Sequence, residues 1–167
     1  MCMKNVNATI SLYGKVMRDA ASQPEAFVRP FDTMKIEKSK DGQIQTDPFV
    51  IVVQMNLVES ETDPYNTLRD KDCLDVKIRL TTVAKEPEEQ LSVDLLDFEI
   101  DVKQKDTQES IIRACRNYLS RQMIIDVPPI ELPKDDMGKY VVKVLVKRRE
   151  DNMFTIQALY PLKIKVK

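Results

Sequence analysis

Asp94, Asp97, Glu99 and Asp101 crowd four carboxylates into one short stretch. Grouped carboxylates hold hard cations, calcium above all, which takes roughly six to eight oxygen ligands. That chemistry needs convergence. On a strand, Asp97, Glu99 and Asp101 occupy alternate positions and spread along one face, so the plainer reading is a carboxylate-lined strand in water. A second acidic group, Glu59-Ser60-Glu61-Thr62-Asp63 with Asp70 and Asp72, falls in a segment rich in Glu, Asp, Asn and Pro that reads as a long solvated loop from Glu59 to Asp72. A loop can wrap its oxygens around one ion, but this one lacks the regular spacing and glycine turn of an EF-hand. No metal site and no cofactor site is expected.

Arg113, Arg116 and Arg121, with Lys105 ahead of them, could line up as a basic stripe for phosphate or RNA. Only Tyr118 stands near them as a stacking platform. With 26 basic and 27 acidic residues the formal net charge is -1, so no global field draws the chain to nucleic acid. No nucleic-acid partner is expected. The three glycines, Gly14, Gly42 and Gly138, are too scattered for a phosphate-cradling loop or a dinucleotide fingerprint. Histidine is absent, which removes Ser-His-Asp and Cys-His hydrolases and the zincins. Cys2, Cys73 and Cys115 show no CxxC spacing and read as thiols in a reducing compartment. Cys115 sits in an apolar stripe with no histidine to activate it. No catalytic residue emerges, and the chain is expected not to be an enzyme.

The composition, 43% hydrophobic and 32% charged, is too apolar for a disordered chain and too interrupted by charge for a membrane span. The start, Met1-Cys2-Met3-Lys4-Asn5-Val6-Asn7, turns polar at once, without the continuous apolar run of a signal peptide. A soluble, cytoplasmic protein is expected, with a single domain spanning residues 1–167.

The elements that would position these side chains follow from alternation. Leu74, Val76, Ile78 and Leu80 alternate with Asp75, Lys77, Arg79 and Thr81, which predicts a strand with one face in a core. Phe49 to Val53 is a continuous apolar run extended by Met55 and Leu57, as a central strand covered on both faces requires. Ala8 to Val16, Met34 to Lys38 and Tyr140 to Val146 are further strands. Phe154, Ile156, Ala158 and Tyr160 follow the polar Arg148-Arg149-Glu150-Asp151-Asn152 connection, which predicts a hairpin. Pro161 should interrupt pairing and leave Leu162, Ile164 and Val166, with Lys163, Lys165 and Lys167 between them, near a sheet edge. Leu91 to Val102 changes phase at Leu95-Leu96, which predicts a β-bulge or a strand crossing between sheets.

One segment breaks the pattern. Asp106 with Glu109 resembles a capping box, and Ile111, Ile112, Cys115, Leu119 and Met123 fall at helical spacing, so an amphipathic helix is predicted near 107–122. About eight strands and one helix point to a mainly β, antiparallel β-sandwich, or alternatively to an α+β curved antiparallel sheet with a helix on one face.

Gly138-Lys139-Tyr140-Val141-Val142-Lys143-Val144, a polar turn, and Tyr160-Pro161-Leu162-Lys163-Ile164 together resemble the closing hairpin of Ig-like β-sandwich modules. The resemblance spans roughly the last thirty residues and implies a fold, not an activity. The leading expectation is a non-catalytic protein-interaction module. The alternatives are a structural protomer of a homo-oligomeric assembly and a carboxylate- or metal-dependent enzyme. A protein partner or self-association is expected, with no membrane, and the strand from Leu162 to Val166 is expected to offer it unpaired backbone groups.

Overall fold

The cleanest alternation in the chain builds the strand it predicts. Leu74, Val76, Ile78 and Leu80 are at most 2% exposed, while Asp75, Lys77 and Arg79 stand half-buried on the opposite face of the same strand. The computed structural model describes residues 6–36, 44–58, 73–83, 86–101, 118–132 and 138–166. These form β1 (Val6–Arg18), β2 (Pro24–Pro30), β3 (Thr33–Ile36), β4 (Phe49–Val58), β5 (Cys73–Thr82), β6 (Ser92–Asp101), β7 (Tyr118–Val127), β8 (Lys139–Arg148) and β9 (Thr155–Val166). The protein is mainly β. One sheet runs β2-β1-β4-β7 and is antiparallel. The other runs β3-β9-β8-β5-β6 and is antiparallel except where β3 lies parallel to β9.

Both sheets contribute to one apolar cluster. Leu12, Ile51, Val53 and Met55 from the first meet Ile36, Val76, Ile78, Val142, Val144 and Leu162 from the second, all at most 1% exposed. Burial of such aliphatic side chains, each contributing about 1.5–3 kcal/mol relative to exposure, is the main force joining the layers. β4 lies between β1 and β7, and Val50 and Val52 are also buried although they face away from this core. That is why its sequence is apolar without alternation.

The phase break in β6 is a bulge. Ile78 pairs with Leu96 and Arg79 with Asp94, so Leu95 is the extra residue. The β8–β9 hairpin also forms, from Tyr140↔Leu162 to Val146↔Thr155. Pro161, however, does not interrupt it. Pro161 pairs in register with Val141 and β9 runs straight through, because β3 joins β9 only from Lys163 onward and deprives no partner of a donor at Pro161.

β2 has no alternating signal, and the sequence predicts no strand there. It is held by a turn in which the Asp19 carboxylate accepts from the amides of Ala21 (2.9 Å) and Gln23 (2.8 Å). Farther along β2, Arg29 has a φ of 61° and its Cβ lies 3.3 Å from where a Cβ on Gly14 would stand, so only glycine fits there without displacement.

The amphipathic helix near 107–122 is not seen among the described residues. Residues 107–117 lie outside them, and Tyr118–Val127 is β7, paired with β4 without a break from Phe49↔Val127 to Val58↔Tyr118. The spacing of Leu119 and Met123 does not distinguish the two, because a step of four returns to the same face at both the helical and the strand period. Met123, Ile125 and Val127 continue at period two, and β4, apolar on both faces, provides the partner. No described helix is long and apolar enough to cross a membrane.

Candidate functional site: the charged outer face and the sheet edges

The acidic strand is answered by basic residues one strand away. In the β5–β6 register Lys77 faces Asp97, Arg79 faces Asp94 and Asp75 faces Glu99. Arg79 donates to Asp94 through Nε (2.6 Å) and Nη2 (3.2 Å), and Lys77 Nζ lies 3.4 Å from Asp94 and 3.6 Å from Asp97. Arg149 pairs with Glu99, and Lys147 lies 3.5 Å from Asp75. The Arg79 hydrogen bond holds the Asp94 carboxyl below its ordinary value, and the same bond raises the Arg79 guanidinium. Glu99 likewise raises Arg149. Phe154 sits between Lys77 and Lys147, whose ammonium groups lie 5.1 and 5.3 Å from its ring centre. Asp94, Asp97 and Glu99 therefore work as counter-ions, and no metal-type cluster occurs among the described residues. Asp101 is placed opposite Cys73, whose Sγ lies 3.9 Å from Glu99. Reading β6 alone missed these partners, although the Asp75-Lys77-Arg79 alternation carried the signal.

Of the other candidates, the Glu59 to Asp72 loop, Lys105, Arg113, Arg116, Cys2 and Cys115 lie outside the described residues. Tyr118 and Arg121 lie on β7. The stretch Leu162–Val166 is not the free edge expected of it. β3 pairs with it in parallel, from Thr33↔Lys163 to Ile36↔Val166, and Leu162 and Ile164 are buried. Sequence could not show this, because the partner comes from the other end of the chain.

Four strands end the two sheets, and three are guarded. β3 has only four residues. β2 carries a proline at each end and the positive-φ Arg29 between them. β6 is lined by carboxylates and opens into the Leu95 bulge. Prolines, charges, bulges and shortness are the usual devices against edge pairing. β7 is guarded by neither proline, bulge nor shortness, and its only charged residues are Arg121 and Asp126. It is ten residues long, has no proline and no bulge against β4, and includes Met123-Ile124-Ile125. No described strand lies on its far side. On its outer face, near its C-terminal end, Asp126 forms an ion pair with Arg18 at 3.1 Å.

No family model matches the chain, and no curated protein does. Among solved structures, the CooA pilin subunit from enterotoxigenic Escherichia coli is similar at 10% identity, with 95% of this chain and 99% of that chain covered and a TM-score of 0.35. An overlap that loose transfers neither topology nor activity.

Proposed function

We propose that the chain is a non-catalytic structural protomer, a β-sandwich unit that assembles with copies of itself through the β7 edge. The observation that supports this reading is the contrast between β7 and the three guarded edges. A long edge strand presents alternating amides and carbonyls, and another strand satisfies them at little cost in rearrangement. Pairing two β7 strands antiparallel about a two-fold axis normal to the sheet keeps inner side chains on the inner face and joins two four-stranded sheets into one. Met123, Ile125 and Val127 of each copy then extend the same core layer.

Sedimentation velocity across a concentration series tests it. The wild type should shift from monomer to dimer, and Ile124→Lys, which places a charge on the outer face of β7, should remain monomeric. Ser92→Lys, on the acid-guarded β6 edge, should associate as the wild type does. A wild type that stays monomeric throughout, or an Ile124→Lys variant that dimerises normally, rejects the reading.

A further inference from the structure

On the second sheet, charge is balanced at one end of the outer face and unbalanced at the other. At the β5–β6 end Lys77, Arg79, Lys147 and Arg149 each have a carboxylate partner. At the opposite end Lys139 of β8 lies directly across from Lys163 of β9, and Lys165 of β9 directly across from Lys35 of β3. Directly paired residues share a face. That face is the outer one, since the intervening Met34, Tyr140, Leu162 and Ile164 are buried in the core. Lys143 stands on the same face, across from Leu159. Among the described residues none of these five lysines forms an ion pair. Among the described acids the one nearest to them in sequence, Asp32, accepts a hydrogen bond from the Thr33 hydroxyl and receives the Lys163 amide at its carbonyl.

Like charges set opposite each other on neighbouring strands destabilise a sheet, and here two such pairs stand side by side. Between the lysines the same face carries Val141 across from Pro161, and Leu159, which is 56% exposed. From Leu159 to Lys165 the patch extends about 20 Å along β9, the length of a short extended peptide.

We infer that this face, where β8, β9 and β3 meet, docks an acidic polypeptide segment carrying aliphatic side chains between its carboxylates. Charge complementarity sets the sign of the partner, and Leu159, Val141 and Pro161 set its apolar component. A nucleic acid fits less well, because no aromatic side chain stands among these residues to stack a base. The net charge of -1 gives the chain no long-range attraction to polyanions. An anionic bilayer would find one exposed leucine to insert. A short segment that engages only the patch gains its local charge within about one Debye length, roughly 8 Å at physiological salt. The surface is separate from the β7 edge.

The test is fluorescence anisotropy with a labelled ten-residue peptide alternating Glu and Leu. Binding should weaken with added salt, and by about tenfold in a Lys139→Gln/Lys163→Gln/Lys165→Gln variant. Leu159→Ser should weaken it as well, whereas Lys15→Gln on β1 should leave it unchanged. Neutralising opposed lysines relieves repulsion, so the triple variant should melt no lower than the wild type. If it does not fold, Leu159→Ser and the salt dependence decide alone. Equal binding by the folded variant overturns the inference. So does stronger binding of a ten-residue oligothymidylate or of phosphatidylserine vesicles than of the peptide. Ile124→Lys should bind the peptide normally, which separates this result from the fate of the β7 edge.

Discussion

Removing the hydroxyl of Tyr160 should loosen the corner at which the chain passes from one sheet to the other. The crossing occupies Phe31 and Asp32, between β2 and β3. Phe31 donates its amide to the Leu12 carbonyl (3.2 Å), and the Asp32 carbonyl accepts from the Lys163 amide (2.8 Å). The Phe31 carbonyl accepts from the Tyr160 hydroxyl at 2.6 Å. The Phe31 ring meets Phe49 edge-on, with centroids 6.1 Å apart. In Tyr160→Phe the ring stays and one hydrogen bond is lost, leaving a partly buried carbonyl short of a donor. That costs about 1–2 kcal/mol, or a fall in Tm of about 3–6 °C for a chain of this size.

Titration gives a second readout. Burial raises the Tyr160 phenol above its ordinary value of 10.0, with Asp32 and Tyr13 adding to the shift. A group whose pKa is raised by folding contributes its full stability below the unfolded value and loses it as pH rises through the folded one. The gap in Tm between wild type and variant should therefore be constant near neutrality and close above pH 10. Melts followed by far-ultraviolet circular dichroism measure both. A variant within about one degree of wild type at neutral pH, or a gap that persists into strong alkali, refutes the account of this corner.

Arg79→Met removes the two hydrogen bonds to Asp94. Because both side chains are more than a third exposed, the loss should be below about 1 kcal/mol, and high salt should erase it. Asp94 is held below its ordinary value, so its contribution is present above the unfolded pKa and fades as pH falls through the folded one. Urea titrations of wild type and variant should coincide in acid. Ile51→Ala, at a side chain 0% exposed in the middle of β4, should cost about 3 kcal/mol by the same assay. A loss under about 1 kcal/mol would mean that the layers are not packed as described.

What the sequence determined was local periodicity. The Leu74 to Leu80 alternation, the doubly covered β4, the slip at Leu95-Leu96 and the β8–β9 hairpin all follow from which side chains must leave water, and all appear in the fold. Where two periods coincide, as at Leu119 and Met123, periodicity carries no decision, and pairing with β4 made that segment a strand. β2 lacks the signal altogether and depends on the Asp19 turn and the fit of Arg29 against Gly14. Partnership across strands was beyond local reading. The residues that neutralise Asp94 and Glu99 come from β5 and from Arg149, just after β8, and the strand that pairs with Lys163 to Val166 is β3, over a hundred positions earlier. Hydrogen-bonding capacity along a strand is nearly independent of side-chain identity, so sequence specifies which segments can pair. Which of them do, and which edge is left open, is decided only when the two sheets close on their common core.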